Sequence, residues 1–266
     1  MIESCSNGTQ NQLQKEVPFE AEILCYNGGM PAKHVIKPFI ADTYYHLYNR
    51  GVEKRTIFQD DKDYAVLLSY LKTYLTPKDE NKLQAILTSP TSSSKEKSDA
   101  VKLLRLNNFH DTIKLCAYCL VPNHFHFLIK QTDATAIDRF MNSLWTRYTM
   151  YFNKVHKRIG PLCQSLYKAV PIKTNEQLLY ITRYIHRNPV SILRYKKSAS
   201  KGSSLRSWMW SSYPEYLGIR KTEWVKPEDV LLQFGKTKQN TYQSFVEDID
   251  ENENSEICLS SLDLEP

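Results

Sequence analysis

Residues 113–121 (Ile-Lys-Leu-Cys-Ala-Tyr-Cys-Leu-Val) form an unbroken β-prone run, Pro122-Asn123 supply a turn, and His124-Phe125-His126-Phe127-Leu128-Ile129 make a second strand. Strands joined by so short a turn pair antiparallel, because a parallel pair needs a crossover of a dozen or more residues. This hairpin commits the chain to an antiparallel sheet and sorts the second strand's side chains by face. His124 and His126 project together, and Phe125 and Phe127 project the other way.

The rest of the chain supplies further strands and the helices to cover them. Tyr44-Tyr45-His46-Leu47-Tyr48-Asn49 reads as a strand, with Asn49-Arg50-Gly51 as its turn. From Asp60 to Tyr74 the spacing is helical: Tyr64, Leu67, Leu68, Leu71 and Leu75 form a stripe behind Asp60 or Asp61 as N-cap. Pro77 to Ser98 is rich in Lys, Ser, Thr and Pro and reads as an inserted excursion, closed by a short helix at Asp99–Leu106. A long helix is predicted over Thr135–His156, burying Ile137, Phe140, Met141, Leu144, Tyr148 and Phe152. Gly160-Pro161 stops the chain, Tyr167–Ile172 reads as a short strand or extended loop, and a further helix runs from Glu176 to Arg187, ended by Pro189. This order predicts an α+β fold, with helices packed on one face of an antiparallel sheet.

At 266 residues and 31.0 kDa the chain has room for one large domain with additions. The expected plan is a poorly ordered N-terminal extension at 1–29, a main domain at 30–195 with an insertion at 77–107, a C-terminal helical accessory segment at 196–239, and an acidic tail at 240–266. No apolar run reaches the ~18 residues that span a bilayer, and Met1 to Gln14 lacks the pattern of a secretory signal. A cytoplasmic protein with six reduced cysteines and no membrane partner is expected. Neither G-x-G-x-x-G nor G-K-[ST] occurs, so no nucleotide cofactor is expected. The net charge of +6 conceals an asymmetry. The tail holds eight of the 29 acids and no Lys or Arg, so residues 1–239 set 35 basic residues against 21 acidic, a surplus of 14. A body so charged and rich in aromatics suits a polyanion, although a merely soluble basic domain has the same signature. The tail is a candidate DNA mimic that shields the basic surface.

Three clusters can carry chemistry. His124 and His126 repel each other when protonated, so a divalent metal would explain their pairing, and so would partial exposure on a sheet surface. In Arg183-Tyr184-Ile185-His186-Arg187-Asn188, Tyr184 and Asn188 share a helical face at i and i+4, as does Tyr180 one turn earlier. A phenol there can act as a nucleophile while the Asn188 amide oxygen reaches a metal, or the tyrosines can simply pack the helix. Cys116-x-x-Cys119 lies in an apolar strand without a second ligand pair, so core packing is expected, with the two thiols on opposite faces.

Together, Tyr45-His46-Leu47-Tyr48-Asn49-Arg50-Gly51, Val121-Pro122-Asn123-His124-Phe125-His126-Phe127-Leu128 and Arg183-Tyr184-Ile185-His186-Arg187-Asn188-Pro189-Val190 resemble the IS200-like, single-tyrosine HUH transposases. The REP-associated branch is the closer match, because Trp210-Ser211-Ser212-Tyr213 with Tyr216-Leu217-Gly218 is similar to its C-terminal signature. The resemblance runs from about Met30 to about Gly235. It implies a ferredoxin-like sheet, Mg²⁺ or Mn²⁺ held by His124 and His126 with Asn188 completing the shell, and Tyr184 as catalytic nucleophile. The implied substrate is single-stranded or hairpin DNA, cut by a monomer or homodimer through a 5′-phosphotyrosine. Candidate DNA contacts are Arg50, Lys54, Arg55, Arg147, Lys168, Lys173, Arg183 and Arg187. The chain departs from the family pattern in places. Cys163-Gln164-Ser165-Leu166-Tyr167-Lys168 lacks the Gly and Arg of Phe-Gln-Gly-Arg-Tyr-Lys, and Ser191 stands where an Arg is common.

Three competitors are distinguishable. A metal nuclease that activates water would use the same histidines without a covalent adduct. A histidine-triad hydrolase needs a third His where Leu128 stands. A catalytically silent nucleic-acid-binding protein would bind without cutting.

Overall fold

The computed structural model describes residues 39–190, 205–234 and 238–248. The predicted extension at 1–29 and most of the basic loop at 196–207 lie outside these residues.

Four antiparallel strands form one sheet: β1 (Tyr44–Arg50), β2 (Ile113–Val121), β3 (His124–Gln131) and β4 (Lys168–Ile172), in the order β2-β3-β1-β4. All three pairings are antiparallel. With α1 (Asp61–Leu75) between β1 and β2 and α4 (Ala136–Val155) between β3 and β4, this is the ferredoxin-like arrangement. The ambiguous segment at 167–172 is a strand because it pairs with β1, Val170 opposite His46 and Lys168 opposite Tyr48.

The two faces are covered differently. On the first, Tyr45, Leu47, Tyr118, Leu120, Phe125, Phe127 and Ile129 pack against α1 and α4 in one apolar cluster. The stripes that bury these helices are Tyr64, Leu67, Leu71 and Leu75 on α1, where the predicted Leu68 is only half-buried, and the predicted Ile137, Phe140, Met141, Leu144, Tyr148 and Phe152 on α4. Asp60 caps α1 by accepting from the Asp63 backbone N–H. The second face carries α5 (Asn175–Arg187), whose Leu178, Ile181 and Ile185 pack on Ala117, Cys119 and Leu128.

The insertion is more regular than expected. It folds as a helical hairpin of α2 (Glu80–Thr88) and α3 (Ser94–Arg105), and α3 starts at a Ser93–Glu96 capping box, five residues before the predicted start at Asp99. The cysteine pair also differs from expectation. A register shift between Leu115 and Ala117 puts an extra residue into β2, so Cys116 and Cys119 are both buried in the α5-side cluster instead of on opposite faces. Burial raises the Cys116 thiol to about 12, which marks it as packing.

The C-terminal segment completes the sheet. The edge of β2 is paired by residues beyond α5: Leu120 N–H donates to Trp210 O at 2.9 Å, Ser212 N–H to Tyr118 O at 2.9 Å, and Lys226 N–H to Leu115 O at 2.9 Å. An otherwise open edge is thereby closed. Three short helices follow, α6 (Tyr213–Tyr216), α7 (Glu228–Leu231) and α8 (Lys238–Glu247). Helix α8 crosses the expected boundary between accessory segment and tail at 239/240. Tyr242 and Val246, four residues apart, are fully buried against α5, so at least residues 242–247 belong to the fold.

Candidate active site

The second face holds a line of imidazoles. Register sets it: β1 pairs with β3 so that Arg50 lies opposite His124, Tyr48 opposite His126 and His46 opposite Leu128. Gly51 makes this possible at the end of β1, because a side chain there would strike the Arg55 carbonyl. Its N–H donates to Asn123 O at 2.9 Å and ties β1 to the hairpin turn.

Helix α5 crosses this face with Tyr184 and Asn188 turned towards the same histidine. Thr174 caps the helix at its start, and Asn188 is its C-terminal cap before Pro189. The Tyr184 ring stands edge-on to His126, with centroids 5.3 Å apart, and to His46 at 6.0 Å. The Asn188 amide bridges the histidine pair: Oδ1 lies 2.9 Å from His124 Nε2, and Nδ2 lies 3.1 Å from His126 Nε2. Tyr180, the other candidate phenol, carries the Arg183 guanidinium 5.4 Å above its ring.

All three sheet histidines are neutral at physiological pH. Burial lowers His46 to about 3 and His124 to about 4, and burial with the neighbouring imidazoles holds His126 well below its ordinary value. Neutral imidazoles present lone pairs. The outer nitrogens are also partnered: His124 Nδ1 meets Asn123 Oδ1 at 2.7 Å, and His126 Nδ1 meets His46 Nε2 at 2.9 Å. An imidazole whose Nδ1–H is held this way keeps its Nε2 lone pair for a metal.

These residues fit a hard divalent cation. If His124 donates from Nδ1 to Asn123, its Nε2 and Asn188 Oδ1 are two acceptors 2.9 Å apart, a contact that a cation between them relieves. Nearest-neighbour ligands in an octahedral shell sit at about this spacing, roughly 3 Å for bonds of ~2.1 Å. Among the described residues no group of three or more His, Cys, Asp and Glu side chains has metal-holding geometry, and a cation here would have two imidazoles and one amide as its protein donors. Such a set leaves positions for water and phosphate oxygens, as Mg²⁺ and Mn²⁺ sites do.

The predicted DNA contacts divide by position. Arg50 flanks His124, and Lys168, exposed on β4, lies 5.6 Å from the Tyr48 ring on the imidazole face. Lys54 is exposed in the turn after β1, where Arg55 pairs with Glu53 at 2.9 Å, and Lys173 is exposed just before α5. The other three are occupied elsewhere. Arg147 stacks on Tyr70 at 3.8 Å, on the α1–α4 side of the sheet. Arg183 lies over Phe245 at 4.7 Å and Arg187 Nη1 donates to Val246 O at 2.6 Å, so both hold α8 against α5.

Two residues gain a role that sequence did not assign. His46 sits inside the first motif, but its contact with His126 depends on strand register. His186 is buried between Tyr242 Oη, 2.7 Å from Nδ1, and Ser212 Oγ, 2.8 Å from Nε2. With Ser212 Oγ accepting from Tyr118 N–H, this chain ties α5, α8 and the sheet edge together.

A family model described as "Transposase IS200 like" matches residues 93–188, which contain the hairpin, Tyr184 and Asn188. The motif on β1 and the Trp210–Gly218 signature lie outside that span. One solved structure, a REP-associated tyrosine transposase bound to a REP hairpin, aligns with a TM-score of 0.36 and 9% identity over 73% of this chain and 98% of that one. No curated protein matches. Among the described residues, no helix is long and apolar enough to cross a membrane. The family that the three motifs resemble, the IS200-like transposases, is thus the one whose model the chain matches through its hairpin and its tyrosine helix.

Proposed function

We propose that this chain is a metal-dependent single-stranded DNA endonuclease and strand transferase that forms a 5′-phosphotyrosine at hairpin-associated sites. The observation that carries this reading is the convergence of the Tyr184 ring and the Asn188 amide, both carried by α5, on His126 of β3.

His124 Nε2, His126 Nε2 and Asn188 Oδ1 would hold Mg²⁺ or Mn²⁺. When bound, such a cation polarises the scissile phosphate and neutralises charge on its oxygens. Tyr184 supplies the nucleophile. The phenol loses its proton as its oxygen bonds to phosphorus, the bond from phosphorus to the 3′ oxygen breaks, and that oxygen takes up a proton to leave as a 3′-OH. The phosphoester is conserved in the covalent link, so attack by another 3′-OH rejoins a strand without ATP and frees the phenol. Arg50 and Lys168 line the approach for the backbone, and Lys54 and Lys173 stand further out. An unpaired strand suits a surface that sets cations beside an aromatic ring, as Lys168 stands beside Tyr48.

The test is incubation of labelled palindromic single-stranded oligonucleotides with the protein and Mn²⁺, followed by denaturing electrophoresis. A conjugate that survives denaturation and disappears in Tyr184→Phe is expected. Cleavage that persists in Tyr184→Phe points to a water-using nuclease. Tight binding with no cleavage points to a silent binding protein.

A further inference from the structure

His46 is a fully buried histidine with one ring nitrogen against His126 and the other without a hydrogen-bond partner among the described residues. Its Nε2 lies 2.9 Å from His126 Nδ1, with the rings nearly parallel at 15° and centroids 5.1 Å apart. Its Nδ1 is buried without a hydrogen-bond partner among the described residues. Tyr48 lies against both rings, its centroid 4.9 Å from that of His46 and 5.8 Å from that of His126.

Two tautomers satisfy the shared hydrogen bond, and they differ in consequence. If His46 donates from Nε2, His126 must accept at Nδ1 and carry its proton on Nε2, which closes that nitrogen to a metal. If His126 donates from Nδ1, its Nε2 lone pair faces Asn188, and the His46 proton is left on the unpartnered Nδ1. Only the second state gives the hairpin two open imidazoles.

We infer that His46 is a positioning residue for the metal site: its Nε2 accepts the His126 Nδ1 proton, fixing both the orientation of that ring and the nitrogen that is free to ligate. This rests on the metal-dependent reading of the site. The role needs an acceptor at one point and not a basic group, which is why burial of a neutral imidazole serves. The position of Tyr184, edge-on to both rings, means the same contact sets the ring beside which the phenol stands.

The test measures Mn²⁺ binding to the full-length protein without DNA, by calorimetry and by loss of the free Mn²⁺ paramagnetic signal. His46→Phe keeps an aromatic ring beside Tyr48 and removes the acceptor, so Mn²⁺ affinity should fall 10- to 100-fold, the range for losing an outer-shell partner. His46→Gln, which offers an amide oxygen, should recover most of it. Binding of hairpin oligonucleotide in EDTA should be unchanged in both variants. If either variant fails to fold, ¹⁵N spectra of the wild-type imidazoles with Mg²⁺ take its place: His126 protonated at Nδ1 is expected, and protonation at Nε2 overturns the inference. Unchanged Mn²⁺ affinity in His46→Phe also overturns it, as does a wild type that binds no Mn²⁺. A protein whose Mn²⁺ affinity depends on His46 but which never forms a DNA conjugate supports the inference while refuting the proposed strand transfer.

Discussion

Strand β3 has two sides with different tasks. On one, Phe125, Phe127 and Ile129 meet α1 and α4 in an apolar cluster. On the other, His124 and His126 meet an amide, a phenol ring and a third histidine. The first side stabilises through area removed from water, which is insensitive to atomic detail. The second side keeps polar groups in burial and satisfies most of them by specific partners, which makes it sensitive to single atoms. Stability and chemistry are therefore separable by face.

The sharpest way to break that separation is a matched pair of truncations. Phe127→Ala on the apolar side should cost about 3–5 kcal/mol of unfolding free energy, read by denaturant titration, while folded protein keeps its Mn²⁺ affinity. Tyr242→Ala should cost a similar ~3–5 kcal/mol, because Tyr242 is fully buried and hydrogen-bonded to His186. Here conjugate yield should fall as well, since α8 is part of what seats α5. Equal loss of activity in the two variants would refute the division.

A smaller effect comes from acid. Burial holds His186 at about 3 in the folded chain, against an ordinary 6.5 when unfolded. The unfolded chain takes up a proton that the folded chain refuses, so stability falls as pH drops through the window from 6.5 towards 3. Between pH 7 and pH 5 this histidine alone should remove about 2 kcal/mol. A pH-independent unfolding free energy over that range would contradict it. Smaller again is Tyr242→Phe, which leaves His186 Nδ1 without its hydroxyl partner and should cost on the order of 1–2 kcal/mol in the same titration.

The apolar side was legible because periodicity encodes it. The stripes of α1 and α4 and the alternation of β3 follow from residue spacing alone. The imidazole side was legible only where one element carries the whole pattern, as in His124-x-His126 or Tyr184 with Asn188. His46 depends on the pairing of β1 with β3, and no spacing within β1 reveals which histidine it meets. The bulge in β2 inverted the expected facing of Cys116, because one extra residue changes the parity of a strand. Charge drew the tail boundary at 240, but the i, i+4 pair Tyr242 and Val246 places that segment in the fold. Arg183 and Arg187 read as candidate DNA contacts in sequence, whereas the structure sets them against Phe245 and Val246 of α8.

The most direct measurement of the central claim is proteolytic mapping of the protein–DNA conjugate by mass spectrometry, after nuclease trimming. The account predicts a nucleotide remnant attached through phosphate to the oxygen of Tyr184. A remnant on Tyr180 or any other side chain, or nicked strands accumulating with no protein attached, would contradict it.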